Sequence, residues 1–91
     1  MSEEKIYIAE SETAITQDIS AKLERLGYVV AGHSDRGETT IQSVGELRPD
    51  LVLVDIHLKG QVNGIAVAKH IYDNFGIPVI LISAHADTLT L

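Results

Sequence analysis

Oxygen-bearing side chains follow directly on three short apolar runs of the sequence, at residues 6–9, 51–54 and 79–82. These side chains belong to Glu10, Ser11, Glu12, Asp55 and Ser83, and His57 lies two residues beyond Asp55. Crowded carboxylates repel one another unless a proton or a hard cation neutralises them, and Mg²⁺ is the natural cation for oxygen ligands beside a phosphate-type group. An Asp at such a position can also be the nucleophile that accepts a phosphoryl group. The alternative is a set of ordinary solvated carboxylates.

The elements that must position these side chains follow from the apolar pattern. The three runs and a fourth at residues 28–31 are rich in Val, Ile, Leu and Ala, and they are typical of strands buried on both faces. Between them, apolar residues at helical spacing predict three helices with the stripes Ile15, Ile19, Leu23, Leu26, then Ile41, Val44, Leu47, then Ile65, Ala68, Ile71, Phe75. Gly27, Pro49 and Gly76 follow where helices should end, and Ser34 and Asp35 are candidate N-caps of the second helix.

Strands that alternate with helices predict βαβ units and an open, doubly wound parallel α/β sheet with helices on both faces. Ligands bind outside the carboxyl ends of the strands in such sheets. If the first and third strands are neighbours, the carboxylates of Glu10, Glu12 and Asp55 converge there. The chain is expected to be a single domain over residues 1–91, incomplete at its C-terminal end. Its fourth strand would then be an exposed apolar edge, through which we expect self-association.

Composition narrows the range of partners. Seven Lys and Arg against thirteen Asp and Glu give a net charge of -6, which disfavours nucleic acid and anionic membranes as partners. The chain has no Cys, which excludes disulfides, thiolate zinc sites and Cys nucleophiles. No signal peptide or membrane-spanning run is visible in the sequence. We therefore expect a cytoplasmic location and no membrane partner.

Four segments in order, at residues 6–12, 49–58, 63–65 and 77–86, resemble the receiver domain of two-component response regulators. The resemblance runs through the whole chain. It implies the CheY-like, flavodoxin-like fold, a three-layer αβα arrangement with strand order 2-1-3-4-5. The last strand and helix of that order would be missing from these 91 residues.

Functional roles follow from this resemblance alone. It implies that Asp55 is the phosphoryl acceptor and, with Glu10, part of an acidic Mg²⁺ site. The backbone carbonyl of His57 would contact the metal, and Ser83 would be the switch hydroxyl that bonds the phosphoryl oxygen. The donor would be a phosphohistidine on a sensor histidine kinase.

Three features depart from the family pattern. The family has an acidic pair where Glu10 and Ser11 stand here, so Mg²⁺ affinity is expected to be lower. Ser11 is expected to cap the first helix, and either Ser11 or Glu12 is a further candidate ligand. No counterpart of the family's fifth-strand lysine lies in the sequence. The loop after Asp55 is one residue longer than usual, with Lys59 where proline is common.

The leading interpretation is a phosphorylatable receiver, which is a signalling switch and not an enzyme. The alternative is a pseudo-receiver, a protein-interaction module whose phosphorylation is impaired because Ser11 replaces an acidic ligand. A phosphatase with an Asp nucleophile is disfavoured because residue 57 is His where a second Asp would serve as acid and base. A flavin-binding domain is disfavoured because no hydroxyl- and glycine-rich phosphate loop follows the first run.

Overall fold

The computed structural model describes residues 3–83, so the last three residues of the 77–86 motif lie outside the described part. Strands and helices alternate along it, as the apolar pattern predicts. The elements are β1 (Lys5–Ala9), α1 (Thr13–Arg25), β2 (Val29–Ser34), α2 (Gly37–Leu47), β3 (Leu51–Asp55), α3 (Gly64–Phe75) and β4 (Val79–Ile82). None of the helices in this part of the chain has the length and apolar character needed to cross a membrane.

The strands form one parallel sheet in the order β2-β1-β3-β4, which confirms the doubly wound, flavodoxin-like fold. Successive side chains of a strand point to opposite faces, so each inner strand contributes to two layers. Tyr7 and Val52 face a buried core shared with α2 and α3, where Val67 and Ile71 are fully buried. Burial of one such aliphatic side chain is worth roughly 2 kcal/mol. The sheet is therefore anchored most firmly against α2 and α3.

The opposite sheet face, on the side of α1, is less well covered. Leu51, Leu53 and Ile80 line an open groove of about 440 Å³ together with Leu23 of α1. Leu26, at the end of the predicted α1 stripe, is 73% exposed. The prediction that all strands are buried on both faces is therefore wrong for β4, where Ile80 is 50% exposed.

The sequence signals for helix ends predict the C-termini of the helices better than their N-termini. Gly76 ends α3 in a left-handed conformation, and its amide donates to the carbonyl of Tyr72 at 3.0 Å. The N-cap prediction for α2 is wrong. Ser34 belongs to β2 and its hydroxyl pairs with that of Thr40 at 2.6 Å, while α2 begins after Arg36 without a side-chain cap.

The buried face of α3 is rotated from the predicted stripe. Val67 and Ile71 are fully buried, whereas Ile65 is 56% exposed. The apolar residues of α3 allow more than one helical phase, and packing against α2 and β4 selects the one that buries Val67.

Edge pairing through β4 is open to a direct test. Within residues 3–83, β4 has a strand partner on the β3 side alone, and Leu81 is 43% exposed. Unpaired backbone groups beside apolar side chains promote pairing with another chain. We expect the 91-residue polypeptide to self-associate in sedimentation velocity at high concentration and Leu81→Lys to reduce this association. Leu47→Lys, at a residue of similar exposure on α2, is the matched control, and a concentration-independent monomer would contradict the prediction.

Candidate functional site

Two buried carboxylates lie side by side at the carboxyl ends of β1 and β3. Ala9 pairs with Val54 in the parallel register, so Glu10 and Asp55 follow as neighbours. Their exposed fractions are 2% and 0%. Burial of two acidic side chains next to each other is costly unless hydrogen bonds or a cation compensate for it.

The Asp55 carboxylate is held by donors from both flanking loops. The backbone amide of His57 donates to Oδ1 at 3.0 Å. The hydroxyl of Ser11 donates to Oδ2 at 2.9 Å, and the Ser11 amide lies 3.4 Å from the same oxygen. Each oxygen of the Asp55 carboxylate is thus held by a donor from the segment that follows β1 or β3.

These donors determine the ionisation of Asp55. Burial acts to raise its pKa, but the amide of His57, the hydroxyl and amide of Ser11 and a side-chain hydrogen bond with Glu10 outweigh burial. The pKa of Asp55 therefore lies below its ordinary value. The side chain is ionised at neutral pH, as a carboxylate nucleophile must be.

The third predicted carboxylate does not join this pair. Glu12 is exposed and is the N-cap residue of α1, where its backbone amide donates to Oε2 of Glu10 at 3.1 Å. Within residues 3–83, no three acidic or histidine side chains are grouped so that they could hold a metal ion. Convergence of three carboxylates was therefore a wrong prediction. The expected cap by Ser11 was also wrong, because its hydroxyl bonds Asp55 and α1 has no side-chain cap.

The donor set nevertheless fits Mg²⁺. This ion needs only one or two protein carboxylates and completes its octahedron with water and phosphate oxygens. Glu10 and Asp55 supply two carboxylates, and the Ser11 hydroxyl lies 2.9 Å from Asp55 and 3.5 Å from Glu10. The Ser11 hydroxyl adds a neutral oxygen beside the two carboxylates, so the site carries less negative charge than three carboxylates would.

Ser83 and His57 lie at the same edge of the sheet. Ile82 pairs with Asp55 in the register of β3 and β4, so the half-buried Ser83 comes one residue beyond the partner of Asp55. The imidazole of His57 is exposed, and it is the His57 backbone that meets Asp55. The metal contact of its carbonyl stays a prediction.

The start of α3 packs closely against the backbone of Asp55, a contact that the apolar pattern does not predict. The side chain of Asn63 accepts from the amide of Ala66 at 2.9 Å and caps α3. Gly64 follows, and a Cβ there would collide with the carbonyl oxygen of Asp55 and lie 2.7 Å from Cα of Ile56. An Asn directly before an apolar helical stripe is the sequence signal that identifies this cap.

Comparison with known proteins gives a consistent result. Residues 6–91 match the family model described as the response regulator receiver domain. Among curated proteins, the DNA-binding response regulator MtrA of Mycolicibacterium paratuberculosis is 31% identical over 86 residues. That match covers 94% of this chain and 37% of MtrA, so the chain spans little more than a third of the relative's length.

Solved structures agree in fold. The signal receiver domain of a modulated diguanylate cyclase from Desulfovibrio desulfuricans G20 has a TM-score of 0.86 and 33% identity, over 93% of this chain and 68% of that one. The response regulator PhyR from Brucella abortus has a TM-score of 0.85 and 31% identity, over 97% of this chain and 36% of that one.

Proposed function

The chain belongs to the response regulator receiver domain family, and we propose that it is a phosphoryl-accepting switch in which Asp55 takes the phosphoryl group from a sensor histidine kinase. One observation carries the proposal. The Asp55 carboxylate lies fully buried at the end of β3, ionised and fixed by the His57 amide and the Ser11 hydroxyl. It is a positioned nucleophile beside a second carboxylate.

The transfer requires little covalent chemistry from the protein. A carboxylate oxygen of Asp55 attacks the phosphorus of the donor's phosphohistidine, an O–P bond forms and the N–P bond breaks. The departing imidazole nitrogen takes up a proton. Positioning dominates the rate of such reactions, and the hydrogen bonds to Oδ1 and Oδ2 limit the rotation of the nucleophile before attack.

Glu10, Asp55 and the His57 carbonyl are the groups that would hold Mg²⁺. When bound, the ion offsets the negative charge on the phosphoryl oxygens. The Ser11 hydroxyl donates to Oδ2 of Asp55 at 2.9 Å and lies 3.5 Å from Oε2 of Glu10. Ser11 must therefore turn away or become a neutral ligand, and it weakens the site relative to a carboxylate.

The conformational change that follows phosphorylation is proposed to begin at Ser83, at the carboxyl edge of the sheet. In this proposal the hydroxyl of Ser83 bonds the phosphoryl oxygen, and phosphorylation shifts an equilibrium between two surface conformations. The chain acts as a cytoplasmic signalling domain and not as an enzyme. Its partners are the kinase and a downstream effector.

Intact-mass spectrometry at neutral pH tests the proposal. The chain is incubated with a small phosphoryl donor, with Mg²⁺ in one sample and EDTA in the other. We expect one phosphoryl adduct that depends on the metal and maps to the peptide containing Asp55. An adduct that forms equally with EDTA, or that maps elsewhere, would overturn the assignment of the site.

The pseudo-receiver remains the second candidate, because the Ser11 hydroxyl occupies Oδ2 of Asp55 where an acidic ligand would increase metal affinity. We expect Ser11→Asp to tighten Mg²⁺ binding by roughly tenfold, since added ligand charge strengthens binding of hard cations. Calorimetric titration measures this, and Gln42→Glu, on the exposed face of α2, controls for the added charge. An adduct on Ser11→Asp and none on the parent chain would favour the pseudo-receiver.

A further inference from the structure

Two loops beside the site are joined by backbone hydrogen bonds. The amide of Lys59 donates to the carbonyl of Asp35 at 3.0 Å, and the amide of Gly37 donates to the carbonyl of Lys59 at 3.2 Å. Arg36 and Lys59 form a parallel bridge. The loop between β3 and α3 is therefore attached to the beginning of α2, a contact between segments more than 20 residues apart in sequence.

The side chain of Glu38 strengthens this attachment. Its carboxylate accepts from the amide of Gln61 at 2.8 Å. Its own backbone amide and that of Gln61 hold the pKa of Glu38 below its usual value against the opposing effect of desolvation, and the charge of Arg36 and the amide of Val62 add smaller contributions. The exposed carboxylate of Glu38 thus interacts with an amide of α2 and with an amide of the β3–α3 loop, and it links the two segments.

Gly60 allows the loop to turn around this carboxylate. Its φ of +94° is a conformation that side chains disfavour, and a Cβ there would collide with Oε1 of Glu38. Lys59 and Gly60 lie in the loop that is one residue longer than usual for the family. The extended loop and Glu38 therefore fit each other in shape and in hydrogen bonding.

The attachment bears on the site because the same loop carries His57. Its amide bonds Oδ1 of Asp55, and the buried Leu58 separates it from Lys59. We propose that Glu38 is a positioning residue for phosphoryl transfer, whose carboxylate fixes the β3–α3 loop and through it the His57 backbone at Asp55. The rate effect rests on the proposed function, whereas the structural effect does not.

Glu38→Ala and Glu38→Gln test the proposal, with Glu46→Ala on the same helix as the exposed control. We expect Glu38→Ala to slow adduct formation by roughly tenfold at saturating Mg²⁺, since small misplacement of reacting groups is costly. Glu38→Gln should recover part of the rate because its amide oxygen still accepts from Gln61. The Glu46→Ala rate should match that of the parent chain.

A second readout separates positioning from general destabilisation. The ¹⁵N–¹H resonances of His57 and Gln61 are recorded for each variant without a phosphoryl donor. We expect both to shift in Glu38→Ala and to stay in place in Glu46→Ala. An unchanged His57 resonance would overturn the proposal whatever the rates. If the parent chain accepts no phosphoryl group, the proposed function fails, and the His57 shift still decides whether Glu38 positions the loop.

Discussion

Asp55→Asn is expected to abolish the phosphoryl adduct that we expect the parent chain to acquire. The asparagine side chain keeps the shape of Asp55 and can still accept from the His57 amide, but it has no anionic oxygen to attack phosphorus. Loss of the nucleophile should reduce adduct yield by at least about 100-fold. Intact-mass spectrometry at neutral pH, over a time course with Mg²⁺ and a small phosphoryl donor, measures the yield.

Asp18→Asn provides the matched control for this loss. Asp18 lies on the exposed side of α1, 63% exposed, in an ion pair with Lys22. The substitution changes the charge by the same amount away from the site, and it should leave the yield unchanged. Equal adduct on Asp55→Asn and the parent chain would show that another group accepts the phosphoryl, and thermal melting would exclude loss of folding as the cause.

Gly64→Ala is expected to have the largest effect on stability. Alanine has the higher helix propensity by about 1 kcal/mol, so propensity alone predicts stabilisation of α3. The new Cβ would, however, collide with the backbone of Asp55 and Ile56, which cannot move without disturbing the sheet. We expect the free energy of unfolding to fall by about 3 kcal/mol in urea denaturation, because overpacking against backbone is costly.

Gly76→Ala separates this collision from backbone strain. Gly76 has φ +69° and nothing within 4 Å of a Cβ, so its substitution should cost only about 1 kcal/mol through the left-handed conformation. Gly64→Ala should also slow adduct formation, because displacement of α3 moves the backbone that carries Asp55. If Gly64→Ala is as stable as the parent chain, the backbone at the end of β3 can shift at little cost in free energy and the prediction is wrong.

The sequence by itself determined the fold and the position of Asp55 in it. Continuous apolar runs such as residues 51–54 predict buried parallel strands, because a strand covered by helices has no solvent face to mark with polar residues. Gly76 and Pro49 locate helix ends through local backbone preferences. Asp55 directly follows the apolar run and is the last residue of β3, so its place at the carboxyl edge of the sheet needs no tertiary information.

The partners of the site residues were decided by the tertiary structure alone. Ser11 bonds Asp55, 44 residues away, and the local signal for a helix cap gave no hint of this contact. Glu38 and Gln61 also meet only because the beginning of α2 and the β3–α3 loop come together at one edge of the sheet. The physical reason is that short-range patterns fix backbone conformation, whereas the partner of a polar side chain depends on which distant backbone the packed sheet brings within hydrogen-bond distance.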